Sequence, residues 1–158
     1  MTDSRIVGIG QMAVCHSPEK LSCLGLGSCV AVILYDPGAK VGGLVHVLLP
    51  KAPNACDREE KYADTGTRKL FKELSIRGAR KERLVAKLVG GAQMFTSINL
   101  SLADIGRDNC SMVRKVLAEL GIKIVAEDLA GNRGRSLYFD SSNGYVTVQT
   151  TFGPTKVI

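Results

Sequence analysis

The chain has 158 residues, of which 45% are hydrophobic and 23% charged. This length predicts one domain over residues 1–158, with a core large enough to fold without a metal or a disulfide. The N-terminus lacks the pattern of a secretory signal, and every apolar run is shorter than the about 20 residues that a membrane-crossing helix needs. The five cysteines are an odd number, which is typical of free thiols in a reducing compartment. We therefore expect a cytoplasmic protein without membrane insertion.

The formal net charge of +6 at pH 7 raises the question of nucleic-acid binding. The chain has four Phe, four Tyr and no Trp, so it offers few aromatic platforms for stacking bases. Its basic residues are scattered along the sequence rather than grouped. A mildly basic surface suits an acidic protein partner equally well. We therefore expect no nucleic-acid partner.

The predicted secondary structure alternates between strands and two helices. Strands are predicted, in chain order, at 5–14, 21–26, 29–35, 41–49, 84–88, 122–126, 136–139 and 145–150, and helices at 62–75 and 109–120. The turn signal Asp36-Pro37-Gly38 joins two of the strands into a hairpin, and Ser142-Asn143-Gly144 joins the last two. Asn109 is predicted as the N-cap of the second helix. Mostly antiparallel strands with two main helices predict an α+β fold, a layered α/β sandwich whose helices cover the sheet.

The chain contains two histidines, which restricts the search for catalytic groups. His16 precedes Ser17 and Pro18, a pattern typical of a turn with a solvated side chain. His46 instead lies in the middle of the apolar strand predicted at 41–49. A buried imidazole needs a partner for each ring nitrogen. His46 is therefore either a satisfied core histidine or a catalytic one.

Cys29 is the candidate partner of His46. The backbone N–H groups of Gly27, Ser28 and Cys29 can converge on one point at this glycine-containing turn, as an oxyanion requires. Cys29 and His46 lie nine and eight residues from Gly38, the centre of the hairpin turn, so the predicted pairing brings them within one register step. A nearby imidazole would then produce a thiolate near neutral pH. The alternative is a buried, inert cysteine.

Two other patterns point to cofactors and are weaker. Cys23, Cys29 and His46 could suggest zinc, but the chain has no C-x-x-C pair and offers no fourth ligand, so we expect no metal. Residues 8–13 match G-x-G-x-x-A, but Pro18 follows too soon for the helix that a dinucleotide site requires. We therefore expect no cofactor.

The basic turn at 131–136 has two interpretations. Arg133 and Arg135 could bind an anion through their guanidinium groups. Alternatively, the turn forms salt bridges with Glu127 or Asp128. The sequence leaves both open.

Six ordered motifs, spread from about Ile6 to Val148, resemble the chemoreceptor glutamine deamidases, the CheD family. These motifs are Gly25-Leu26-Gly27-Ser28-Cys29-Val30, the run 41–50, Lys61-Tyr62-Ala63-Asp64-Thr65, Gly90-Gly91-Ala92-Gln93-Met94-Phe95, Ile105-Gly106-Arg107-Asp108-Asn109, and Ala126-Glu127-Asp128 with 131–135. The resemblance implies a sandwich like that of the cytotoxic necrotising factor deamidases. It also implies Cys29 as the nucleophile and His46 as its base.

The resemblance further implies two partners, and the sequence departs from the family pattern at one position. The partners are methyl-accepting chemotaxis receptors as substrates and the chemotaxis phosphatase CheC. The family usually has a threonine six residues before the nucleophile to orient the histidine, and here that position is Cys23, while Ser22 would point to the other face of its strand.

The implied activity is conversion of receptor glutamine to glutamate through a cysteine thioester, with release of ammonia. Hydrolysis of glutamate methyl esters is a plausible side reaction. A non-catalytic adaptor that regulates a chemotaxis phosphatase is the alternative, because Cys23 departs from the family pattern.

Overall fold

The computed structural model describes residues 4–93 and 100–158, which form strands and helices in the following order. The strands are β1 (Arg5–Ile6), β2 (Met12–His16), β3 (Lys20–Leu26), β4 (Val30–Asp36), β5 (Val41–Val47), β6 (Val85–Gly90), β7 (Lys123–Leu129), β8 (Arg135–Asp140), β9 (Val146–Thr150) and β10 (Thr155–Val157). The helices are α1 (Ala63–Ile76) and α2 (Leu100–Leu120), and a 3-10 turn spans Glu59–Lys61.

The strands form two stacked sheets of five strands each. The central sheet has the order β2-β5-β4-β6-β7, and the outer sheet has the order β1-β3-β8-β9-β10. Neighbouring strands are antiparallel except for the parallel pairs β1–β3 and β6–β7. The predicted α+β sandwich with mostly antiparallel strands and two helices is confirmed, with its strands divided between two sheets.

Strand β4 lies at the centre of the fold, and all seven of its residues are buried. Val30, Val32 and Leu34 pack on the helix side, together with residues of α1 and α2. Ala31 and Ile33 pack on the opposite side against the outer sheet. Because both faces of this strand are covered, its sequence is apolar throughout rather than alternating.

The segment predicted as one strand over 5–14 is two strands in different sheets. Strand β1 pairs with β3 in the outer sheet, whereas β2 pairs with β5 in the central sheet. A turn separates them, in which the side chain of Gln11 accepts a hydrogen bond from Gly8 N at 2.8 Å and Gly10 has φ +70°. A positive φ is readily adopted only by glycine, so Gly10 allows the chain to cross between the sheets.

The prediction of Asn109 as a helix N-cap is wrong. Helix α2 begins at Leu100, and Asn109 lies in its interior, where it is fully buried. The exposed charged residues Arg107 and Asp108 interrupt the apolar spacing just before Asn109, so the pattern supported a shorter helix. Met94 and Phe95 of the glycine-pair motif lie outside the described residues.

The predicted hairpin between β4 and β5 is confirmed, and a buried carboxylate holds its turn. Asp36 is fully buried, and it accepts hydrogen bonds from the backbone N–H groups of Gly38, Ala39 and Arg80 and from the Arg83 side chain, at 2.8 to 3.1 Å. Burial opposes its ionisation, but the guanidinium and the N–H groups outweigh that effect and lower its pKa to about 2. The ionised carboxylate therefore stabilises the turn that sets the register of the hairpin.

We predict that Asp36→Asn lowers the free energy of unfolding by about 2 kcal/mol near pH 7. The folded-state pKa lies below the ordinary value, so this contribution is present above about pH 4 and disappears as the pH falls through about 2. Urea unfolding of both proteins across this pH range measures the difference. The matched control is Asp57→Asn, because Asp57 is exposed and makes no ion pair within the described chain. An equal loss of stability in both variants, or a pH-independent difference, would contradict the prediction.

Candidate active site

The β4–β5 hairpin places Cys29 and His46 on the same face of the central sheet. His46 pairs with Ala31, and Cys29 lies two residues before Ala31, so the two side chains are diagonal neighbours on adjacent strands. Both face the outer sheet and both are buried, with 6% of Cys29 and 2% of His46 exposed. The structure therefore brings together the two residues that the sequence analysis selected.

A backbone carbonyl determines which nitrogen of His46 carries the proton. Nδ1 lies 3.2 Å from the carbonyl oxygen of Val7. A carbonyl can only accept a hydrogen bond, so this contact requires the proton on Nδ1 and leaves Nε2 with a free lone pair. Nε2 is buried and has no hydrogen-bond partner in the described structure. The imidazole is therefore held as a base whose basic nitrogen is unoccupied.

The turn between β1 and β2 fixes the backbone of His46. Gly10 N donates to the carbonyl of His46 at 2.8 Å, and His46 N donates to the carbonyl of Gln11 at 3.0 Å. Val7 N in turn donates to Ser22 O at 2.8 Å, which anchors the Val7 carbonyl to β3. Backbone groups thus hold His46 in place. The residue types of this segment do not indicate that role.

Cys23 reaches the same carbonyl from β3. Its thiol donates to Val7 O at 3.3 Å, and its sulfur lies 3.6 Å from Nδ1 of His46. Burial, with a smaller contribution from the neighbouring Cys29, raises the pKa of Cys23 to about 12. Cys23 is therefore a neutral thiol beside the protonated nitrogen of the histidine. Ser22 faces the other side of the strand, where it contacts Ser4, as expected.

The loop before β4 is held by its carbonyl groups. Ala92 N donates to Gly27 O at 2.9 Å, Gly91 N donates to Cys29 O at 2.8 Å, and a side-chain amide of α2 donates to Ser28 O at 3.0 Å. In the part of the chain that the structure describes, no backbone group accepts from the N–H of Gly27, Ser28 or Cys29. This loop therefore has carbonyls that are fixed by hydrogen bonds, and N–H groups that donate to no backbone acceptor.

The loop before β4 lies so close to the segment after β6 that Gly90 and Gly91 leave no room for side chains. Gly90 has φ +117°, and a Cβ atom there would lie 2.2 Å from the carbonyl oxygen of Cys29. A Cβ atom on Gly91 would lie 2.2 Å from Sγ of Cys110. Both distances are shorter than real carbon contacts allow, so neither position accepts a side chain without movement.

Burial shifts the pKa of both side chains of the candidate pair. It raises the pKa of the Cys29 thiol, an effect that the backbone N–H of Cys29 only partly offsets. Burial also lowers the pKa of His46, and the contact with Val7 only partly offsets that. Both shifts favour the neutral forms of the two side chains, and the thiolate expected near neutral pH stays a prediction.

A large cleft beside α2 does not include this pair. A cleft of about 700 Å³ lies between α2 and the segment that follows β7, and its walls include Gly91, Arg107, Cys110 and Asp128. Cys29 and His46 do not line it. The chemistry of the buried thiol and imidazole, rather than cavity size, therefore identifies the candidate site.

Among residues 4–93 and 100–158, no cluster of His, Cys, Asp and Glu has the arrangement of a metal site. The helices within these residues include none with the length and apolar character needed to cross a bilayer.

In the basic turn, Arg135 is buried and pairs with Asp128 at 3.1 Å, whereas the Arg133 side chain donates to the carbonyl of Phe152. Of the two interpretations of this turn, the structure thus favours the salt bridge.

The fold is an α+β sandwich in which Cys29 and His46 lie near each other on the inner face of the central sheet. The family model described as CheD chemotactic sensory transduction matches residues 48–150. The chain belongs to this CheD family, as the sequence resemblance indicated.

Curated relatives extend the match to nearly the full chain. The protein named "Probable chemoreceptor glutamine deamidase CheD" of Moorella thermoacetica is 49% identical, with 96% of this chain and 93% of that protein covered. The protein of the same name from Desulforamulus reducens is 47% identical, with 96% and 93% covered. The "Chemoreceptor glutamine deamidase CheD" of Thermotoga maritima is 45% identical, with 94% and 93% covered.

A solved structure supports the fold independently of sequence identity. A Neisseria meningitidis protein of the DUF152 family superposes with a TM-score of 0.51 at 10% identity, covering 87% of this chain and 75% of that one.

We predict that iodoacetamide labels Cys56 faster than Cys29 near pH 7, because Cys56 is more exposed and burial keeps Cys29 protonated. Labelling of Cys29 should rise as the pH increases through the alkaline range, since only the thiolate reacts. Peptide mass spectrometry of the alkylated protein measures both rates in one sample. Faster labelling of Cys29 than of Cys56 near pH 6 would instead indicate a thiolate–imidazolium pair at rest.

Proposed function

We propose that this protein is a glutamine deamidase that converts glutamine side chains of chemotaxis receptors to glutamate, with Cys29 as nucleophile and His46 as base. One observation carries the proposal: Nε2 of His46 is buried and unpartnered on the same sheet face as Cys29, while Nδ1 is held by the Val7 carbonyl. A histidine that served only the core would be expected to have both nitrogens satisfied. The names of the curated relatives point to the same activity.

In the first half of the reaction, His46 Nε2 takes the proton of the Cys29 thiol. The sulfur attacks the side-chain carbonyl carbon of the glutamine, a C–S bond forms, and the carbonyl oxygen becomes an oxyanion. The N–H groups of Gly27, Ser28 and Cys29 stabilise this oxyanion, an effect of about 3 kcal/mol per donor. Their carbonyls are already bound elsewhere, which supports this role.

In the second half, the imidazolium of His46 gives its proton to the leaving nitrogen. The C–N bond breaks, ammonia departs, and a thioester to Cys29 remains. His46 then takes a proton from water, whose oxygen attacks the thioester. The C–S bond breaks, the thiol recovers its proton, and the product is glutamate. The atoms and charges balance as glutamine plus water giving glutamate plus ammonium, since the ammonia takes up the proton that the new carboxyl group releases.

The protonation of Cys29 and His46 before substrate binds affects the first step of this mechanism. Burial disfavours a thiolate before substrate binds, so proton transfer to His46 accompanies the attack of the sulfur on the amide carbon. The lowered pKa of His46 keeps its base form populated at neutral pH. We therefore expect little reaction of the free enzyme with general electrophiles.

Cys23 acts as a positioning residue for His46 in this proposal. Its thiol and the imidazole Nδ1 share the Val7 carbonyl, and together these contacts limit rotation of the ring. A thiol is a weaker hydrogen-bonding group than the threonine hydroxyl expected from the family pattern. Cys23 therefore contributes less to the orientation of His46 than a threonine would.

The proposed substrates are methyl-accepting chemotaxis receptors, and the proposed regulatory partner is the phosphatase CheC. We also propose that this protein acts in the cytoplasm. Hydrolysis of a glutamate methyl ester uses the same acyl carbon with a better leaving group, so we propose a methylesterase side activity.

We predict that Cys29→Ala abolishes ammonia release from a receptor cytoplasmic fragment while the protein stays folded, because the lost thiol forms the covalent intermediate. The matched control is Cys56→Ala, which removes a loop thiol and should leave the rate unchanged. Substantial activity in Cys29→Ala would remove Cys29 from the mechanism. Absence of activity in the unmodified protein, with retained binding of a chemotaxis phosphatase, would favour the adaptor.

We also predict opposite effects of two substitutions at position 23. Cys23→Thr supplies a hydroxyl and should keep or raise kcat, whereas Cys23→Val has no polar group and should lower kcat several-fold, about 1 kcal/mol. Steady-state assays of both variants measure the difference. Equal kcat in both variants and the parent would assign Cys23 to packing alone.

A further inference from the structure

Asn109 connects the two segments that carry Cys29 and His46. It is fully buried in α2, and its Nδ2 donates to the carbonyl of Ser28 at 3.0 Å and to the carbonyl of Leu48 at 3.0 Å. Ser28 immediately precedes Cys29, and Leu48 lies two residues after His46. One amide group thus bonds to both chain segments of the candidate pair, just beyond the ends of β4 and β5.

These two bonds lie where the sheet itself no longer holds the strands together. The paired register of β4 and β5 ends at Val30 and Val47. Beyond that pair, the two N–H groups of Asn109 link the chains by bonding one carbonyl on each side. The position of Cys29 relative to His46 therefore depends on a side chain from a third element.

The packing of α2 is close enough to hold the amide in place. A Cβ atom on Gly106 would lie 2.5 Å from the carbonyl oxygen of Ala92 and 2.7 Å from that of Gly91. Those two residues are also the ones that donate to the carbonyls of Gly27 and Cys29. The helix and the nucleophile loop are thus fixed to the same short segment of backbone.

The orientation of the amide is set by its acceptors and leaves one atom unsatisfied. Both contacts are carbonyl oxygens, so the NH₂ group must face them, and Oδ1 is buried with no hydrogen-bond partner within the described structure. Leaving a buried acceptor unpaired costs free energy. Retaining an asparagine here is consistent with a need for both of its donated hydrogen bonds.

We propose that Asn109 is a positioning residue for the deamidation reaction, holding the Cys29 loop at the correct distance from His46 by joining Ser28 to Leu48. The expected loss of kcat rests on the proposed function, whereas the expected release of the Cys29 loop rests on the geometry alone. Asn109 does not touch the reacting atoms. Its loss should affect the chemical step more than substrate binding.

The test compares Asn109→Leu with Thr67→Val. Both replace a fully buried polar residue of a helix with an apolar one of similar size, but the Thr67 hydroxyl has no partner in the described structure. Asn109→Leu should lower kcat by about 10- to 100-fold with KM changed by less than about threefold, because misplacing a reacting group by about 1 Å has effects of this size. Thr67→Val should retain the parent kcat. Equal kcat in the two folded variants would overturn the proposal.

A second readout does not require deamidase activity. Iodoacetamide labelling near pH 8 should become several-fold faster at Cys29 in Asn109→Leu, because its loop is released, while labelling of the buried Cys15 stays unchanged. Equal acceleration at both thiols would indicate general loosening and would contradict the proposal. If Asn109→Leu does not fold, Asn109→Ser decides on the same criteria, since one hydroxyl cannot donate to both carbonyls.

The two readouts also separate this inference from the proposed function. An inactive parent protein would refute deamidation, and the labelling ratio of Cys29 to Cys15 would still decide whether Asn109 positions the loop. An active parent with unchanged kcat and unchanged labelling in Asn109→Leu would refute the inference alone.

Discussion

The hydrogen bond between Nδ1 of His46 and the carbonyl of Val7 is the contact on which the proposed site depends. Because a carbonyl only accepts, this bond places the proton on Nδ1 and leaves the lone pair of the buried Nε2 free. The fold provides this carbonyl by passing the chain from the outer sheet to the central sheet between β1 and β2. The site therefore exists only when both sheets are stacked, which links its geometry to folding.

Close backbone packing supplies the other half of the site. The loop from Gly27 to Cys29 is held by donors from the segment after β6 and from α2, at distances that exclude side chains at Gly90 and Gly91. The N–H groups of this loop donate to no backbone acceptor in the described structure, which suits the proposed oxyanion site. Burial at the same time raises the pKa of the Cys29 thiol, which disfavours a reactive thiolate.

The sequence predicted the parts of this site that follow from residue type and register. Apolar runs on either side of a strong turn signal defined the hairpin, and that hairpin placed Cys29 beside His46. The Val7 carbonyl could not be predicted, because a main-chain group carries no residue signal and its segment was interpreted as one strand. Asn109 was predicted as a helix cap, since its partners lie 81 and 61 residues away in the chain. The thiolate expected near neutral pH stays a prediction, and burial shifts the pKa of the Cys29 thiol against it.

The protonation state of His46 tests this account most directly. The chain has two histidines, so ¹⁵N NMR of histidine-labelled protein gives two imidazole rings, and a His16→Gln variant assigns them. Near pH 7 the account predicts His46 neutral, with Nδ1 protonated and Nε2 unprotonated, while the exposed His16 serves as an internal reference. A His46 ring protonated on Nε2, or present as imidazolium at that pH, would contradict it.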